Sequence, residues 1–161
     1  EVKIWADLTN APGNETARIS RIEVKGKKKA LHEKIYMNDV ITVEIMFVKF
    51  KKENRVDAGF TLYDSSGNNV FASTSVLSGS GSTAGYDGRY KAGCEIPANY
   101  FNAGSFSMNV FIVENEKEVY RSFTEVVFFK VHLNESEKDK PLINRFPGPL
   151  RPMLNWSVTS Q

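Results

Sequence analysis

Arg89 to Val113, RYKAGCEIPANYFNAGSFSMNVFIV, decides the fold. Tyr90, Ala92, Cys94 and Ile96 alternate with Arg89, Lys91, Gly93 and Glu95, the period of two that a half-buried strand requires. Pro97 removes a ladder donor, and the Asn and Gly residues between Ala98 and Gly104 suit a reversal of the chain. From Ser105 the alternation restarts, with Phe106, Met108, Val110 and Ile112 set against Ser105, Ser107 and Asn109. At roughly 1.5 to 3 kcal/mol for each fully buried side chain, this hairpin contributes a sizeable part of a core.

The same pattern extends outward in both directions. Ala17 to Lys25 is a strand whose phase shifts once, as a bulge near Ser20 or Arg21 would make it. Val40 to Phe50 alternates cleanly, and Val56 to Tyr63 puts Phe60 and Leu62 inward with Thr61 and Tyr63 outward. The turn Asp64-Ser65-Ser66-Gly67-Asn68-Asn69 joins it to a return strand at Val70. Glu114 to Arg121 reads as a charged turn, and Glu125 to Leu133 as an apolar strand packed on both faces. No segment of ten or more residues has helical spacing, so seven to nine short strands predict an all-β fold, an antiparallel two-sheet sandwich of immunoglobulin-like or jelly-roll type. Residues 1–16 form an arm anchored by Trp5, residues 17–133 the sandwich, and residues 134–161 a C-terminal extension. That extension holds three prolines between Pro147 and Pro152, which stiffen it, and Met153 to Trp156 could dock as a last strand. A first residue Glu1 in place of Met suggests that the arm leads in from a missing preceding domain.

With 161 residues, 41% of them hydrophobic, the chain can bury a core of its own. Lys and Arg number 21 against 19 acids, a balance that does not point to nucleic acid, and Lys25, Lys27, Lys28 and Lys29 read as a solvated basic turn. The single cysteine, Cys94, lies on the apolar side of its strand, so it reads as core and favours a reducing compartment. No apolar run approaches a membrane span.

Reacting groups are scarce. His32 and His132 stand beside no nucleophile or acid at motif spacing, one Cys with two distant His makes no zinc site, and no phosphate-cradling loop occurs. Gly79, Gly81 and Ala84 sit in a small-residue loop, Ser78 to Gly88, that suits a ligand lip, but no helix can follow them, which rules out a dinucleotide fingerprint. No metal, no cofactor and no catalysis are expected. Binding remains: Tyr63, Asn109 and Phe111 point outward, rimmed by Tyr86, Arg89 and Arg121, and rings beside hydrogen-bonding groups are what sugars require. Scattered surface positions are the plain alternative.

Four stretches also carry a resemblance: APGNE at Ala11–Glu15, GFTLYDSSGNNVF at Gly59–Phe71, YKAGCEIPANYFNAG at Tyr90–Gly104 and PGPLRPMLNW at Pro147–Trp156. Together, and in order, they resemble the C-terminal carbohydrate-binding domain of Wzt-type polysaccharide ABC transporter ATP-binding proteins. The resemblance implies an immunoglobulin-like sandwich that recognises a lipid-linked glycan, typically O antigen, at the cytoplasmic face of the bacterial inner membrane. It implies a homodimer, working with an ABC ATPase domain and transmembrane permease subunits. Walker motifs are absent from these residues, so ATP hydrolysis is not expected of them. The matched motifs are structural and transfer no site residues. A protein–protein module without sugar binding and a secreted carbohydrate-binding or adhesion domain are the competing readings.

Overall fold

Alternating apolar and polar residues, broken by Asn, Gly and Pro, divide the chain into short strands in two layers. The computed structural model describes residues 1–79, 85–121, 127–137, 147–152 and 154–159. Ten strands occur among them: β1 Val2–Ile4, β2 Ala17–Gly26, β3 Ile35–Tyr36, β4 Ile41–Lys49, β5 Val56–Asp64, β6 Asn69–Thr74, β7 Gly88–Ile96, β8 Gly104–Glu114, β9 Glu118–Arg121 and β10 Val127–His132. One sheet runs β1-β2-β4-β7; the other runs β3-β10-β8-β5-β6, with β9 also on β8. A helical turn, α1 at Ser75–Ser78, follows β6.

The core lies where the inward residues of the two sheets meet. Val43, Ile45 and Phe47 of β4 and Phe106, Met108, Val110 and Ile112 of β8 are all buried. Phe101 sits in the β7–β8 loop with its ring centroid 4.8 Å from Phe106, which lies 5.6 Å from Phe129 of β10. The register between β2 and β4 shifts between Ile19 and Arg21, where the sequence predicts a bulge.

Three features differ from the sequence reading. The second sheet is mixed, because β3 pairs with β10 in parallel, its chain arriving through a loop held by a Lys29–Asp39 ion pair of 2.6 Å. Glu114 to Arg121 is a hairpin into β9: Asn115 and Glu116 both adopt positive φ, 51° and 61°, and Lys117 N–H donates to the Glu114 carbonyl at 3.1 Å, the geometry of a tight type I′ turn. Strand β10 packs on one face only, since Val127, Phe129 and Val131 are buried while Phe128 and Lys130 are exposed.

A buried carboxylate ties the N-terminal arm to β8. Glu114 Oε2 accepts from Asn14 Nδ2 at 2.7 Å, and Oε1 accepts from Thr16 Oγ1 at 2.9 Å and from Asn54 Nδ2. Burial alone would raise the carboxyl pKa, but these three donors outweigh it and hold the value below the ordinary one. Asn14 is fully engaged, its Oδ1 accepting from the N–H groups of Thr16 and Ala17. On the outer side of β5, Gly59 leaves room that Phe111 fills: a Cβ at Gly59 would lie 2.5 Å from a Phe111 ring carbon and 2.5 Å from the Ser73 carbonyl oxygen.

Two outcomes follow. Gly59→Ala lowers stability by about 3 kcal/mol in urea unfolding, because both obstacles belong to packed elements. Glu114 stabilises the fold at pH values above the ordinary glutamate range, and that contribution is lost as pH falls through its lowered folded-state value. Glu114→Gln therefore unfolds at lower urea than the parent at pH 7, by roughly 2 kcal/mol, and the gap closes on acidification.

Candidate functional site

The two outer faces of the sandwich have opposite chemistry. On the four-stranded sheet the charges pair with one another: Glu23 bridges Arg21 at 2.6 Å and Lys25 at 2.8 Å, Lys91 meets Glu44 at 3.0 Å, and Lys27 meets Glu95 at 2.7 Å. Three of the four lysines in the basic turn are thereby matched, Lys29 by Asp39. The exposed pairs among them add little stability, but together they leave few groups free for a ligand.

The outer face of the six-stranded sheet is built from aromatic and hydroxyl side chains. Strand pairing sets Tyr63, Ser107 and Phe128 in one row across β5, β8 and β10. Ser105 faces Lys130 in the row on one side, and Thr61 faces Asn109 in the row on the other. Phe128 is 61% exposed, whereas Ser107 is only 7% exposed in its row with the two rings. Thr61 Oγ1 and Asn109 Oδ1 are buried with no hydrogen-bond partner. A trough of about 690 Å³ includes Asp64, Ser65, Ser105, Ser107, Phe128 and Lys130 in its lining, a size suited to a small or oligomeric ligand. Asp64 is already committed there: its Oδ1 accepts from the Ser66 and Asn68 N–H groups at 2.9 Å and its Oδ2 from Asn68 Nδ2 at 3.1 Å. The Asn68 side chain and then its backbone lower the Asp64 pKa.

The sequence profile of the Wzt C-terminal domain matches residues 9–144. The chain belongs to the Wzt C-terminal domain family. A crystal structure of the C-terminal domain of Wzt aligns at a TM-score of 0.66 and 15% identity, over 92% of this chain and 86% of that one, and shows the same fold. A structural-genomics target of the Northeast consortium (TM-score 0.35, 9% identity, 72% of this chain and 86% of that one) and the putative ApaA protein from Bordetella pertussis (0.34, 10%, 78% and 98%) are too distant to bear on it. No curated protein matches the chain in sequence.

In this member of the Wzt C-terminal domain family the six residues singled out from sequence divide between the two layers. Tyr63, Asn109, Phe111 and Arg121 belong to strands of the six-stranded sheet, Asn109 two residues along β8 from Phe111, which pairs with Arg121. Phe111 lies on the outer side but is 6% exposed, its ring closed over Gly59 and offering no free stacking surface. Arg89 is exposed on β7 of the other sheet. Tyr86 precedes that strand, 74% exposed, and its carbonyl accepts from the Tyr90 hydroxyl at 3.1 Å. Residues 80–84 of the loop read as a ligand lip lie outside the described residues. Sequence reasoning missed Ser105, Ser107, Phe128 and Lys130. Their signal was present: Val127-Phe128-Phe129-Lys130-Val131 alternates once Phe128 is allowed to face water.

Cys94 corrects a second expectation. It is exposed rather than core, because β7 and β6 are the free edges of their sheets and the layers part between them. The resulting cleft, about 620 Å³, has Val43, Ile45, Phe47, Phe60, Tyr90 and Cys94 among its walls, and this apolar setting raises the thiol pKa. His132 lies with its ring centroid 5.9 Å from that of Tyr36. Its pKa is lowered by burial and then by Lys130, Lys34 and Lys29. Among the described residues no three His, Cys, Asp or Glu side chains group as metal ligands, and no helix is long and apolar enough to cross a membrane.

Proposed function

We propose that this chain is the glycan-recognition domain of a polysaccharide ABC exporter and that it binds sugar on the outer face of the six-stranded sheet. The observation that carries the reading is the row Tyr63, Ser107, Phe128: a solvent-facing ring stands beside hydroxyls on one sheet face. Sugar C–H faces stack on such rings while their hydroxyls exchange hydrogen bonds with Ser105 and Ser107. Family membership supports the substrate class. The finer reading is an O-antigen-type chain, still lipid-linked, selected by its non-reducing end at the cytoplasmic face of the inner membrane, with no catalysis in this domain. Tyr86 and Arg89 stay in the proposal as contacts of a chain long enough to leave the face, and Arg121 as a contact at its β9 margin.

In calorimetric titration with polysaccharide purified from the source strain, the protein binds saturably, and Phe128→Ala weakens the affinity about tenfold, or 1.4 kcal/mol, without lowering the melting temperature. No saturable binding by the parent protein would overturn the reading in favour of a protein-contact module.

The homodimer belongs to the same proposal. Leu154, Trp156 and Val158 are 65%, 87% and 97% exposed at alternate positions, the pattern of an extended segment able to lay one side on a second copy. Removing residues 153–161 leaves a protein of monomer mass in light scattering, while the full chain has twice that; equal masses would refute the tail's role.

A further inference from the structure

Thr61 on β5 and Asn109 on β8 are direct cross-strand partners on the outer face, one step along the sheet from Tyr63 and Ser107. Thr61 is 2% exposed. Its Oγ1 and the Oδ1 of Asn109 are buried without a hydrogen-bond partner, an arrangement that native proteins rarely keep without a use for it. Asn109 as a whole is half-buried, so its amide has room to turn toward a ligand lying on the face.

The surroundings of this pair narrow the ligand. Its described neighbours on the outer side are Ala72 beside Thr61, Gly59 and Tyr63 along β5, and Ser107 and Phe111 along β8. None carries a charge. The charged residues of the described strands lie at other positions on this face: Asp64 and Lys130 toward one end, Asp57, paired with Arg55 at 3.0 Å, toward the other, and Arg121 of β9 in the next row, paired with Phe111. Hydroxyl groups would find one hydroxyl and one amide, each able both to donate and to accept.

We infer that Thr61 and Asn109 are specificity-determining residues of the glycan face, holding the hydroxyls of a sugar unit. The inference rests on the glycan reading above and deepens it by naming the part of the face that tells one sugar from another. A site whose polar groups are satisfied only by ligand hydroxyls discriminates strongly against sugars that lack them.

Thr61→Val removes the hydroxyl at nearly constant volume, so ligand binding and folding are expected to respond with opposite signs. With delipidated polysaccharide chains from the source strain, the dissociation constant rises at least about tenfold for Thr61→Val and for Asn109→Leu. The melting temperature of Thr61→Val is unchanged or higher, because an unsatisfied buried hydroxyl is lost. Thr61→Ser restores binding. Unchanged affinity in both variants overturns the inference. So does a lower melting temperature for Thr61→Val, which would mark a hydroxyl serving the fold. Parent protein that binds no polysaccharide removes the glycan reading itself; binding that survives in the variants removes this inference alone.

Discussion

Strand β8 is the constraint on which the molecule depends. It is bonded to β5 from Phe106 to Glu114, to β10 from Gly104 to Met108 and to β9 from Phe111 to Glu114, so strands flank it on both sides. Its inward residues, Phe106 to Ile112 at alternate positions, lie at the middle of the core. A slip of one residue would turn all of them to solvent and bring Ser105, Ser107 and Asn109 inward. Both the burial of the core and the polar composition of the outer face are therefore set by one register.

Most of that register was readable in the sequence, because large apolar residues alternate with Ser, Asn and Gly on β8 and with Lys and Arg on β7. The β2 bulge showed itself as a change of phase. The β8–β9 hairpin did not, because its turn uses Asn115 and Glu116 in the left-handed region where glycine would have been the usual signal. The parallel partner β3 is only two residues long, too short for any periodicity. Cys94 was misread for a geometric reason: its side of β7 faces inward, but a strand at the edge of a layer is covered only if the opposite layer extends as far.

The site was legible in part. Outward residues of β5 and β8 could be named from phase alone, and Tyr63 and Asn109 do share a face. What phase could not give was the pairing of strands distant in sequence, which brings Phe128 and Lys130 of β10 beside Ser107 and Ser105 and sends Arg89 to the other layer. Nor could it show that Phe111 folds down over a glycine. The charge ladders of the four-stranded face are likewise a product of assembly, since Glu44 with Lys91 and Lys27 with Glu95 are far apart along the chain.

The segments flanking the central strands, residues 1–16 and 147–151, are both tied to the folded body. The N-terminal arm extends one sheet through β1 and is gripped by Glu114. Among the prolines, Leu150 bridges Phe101 and Arg151 N–H donates to the Tyr100 carbonyl at 2.9 Å, with Asn102 N–H on the Pro149 carbonyl at 2.9 Å. Phe101 is the ring that joins the β7–β8 loop to the core. Trimming the chain to its central strands would strip a clasp from that ring, so a minimal version for binding studies has to keep both margins.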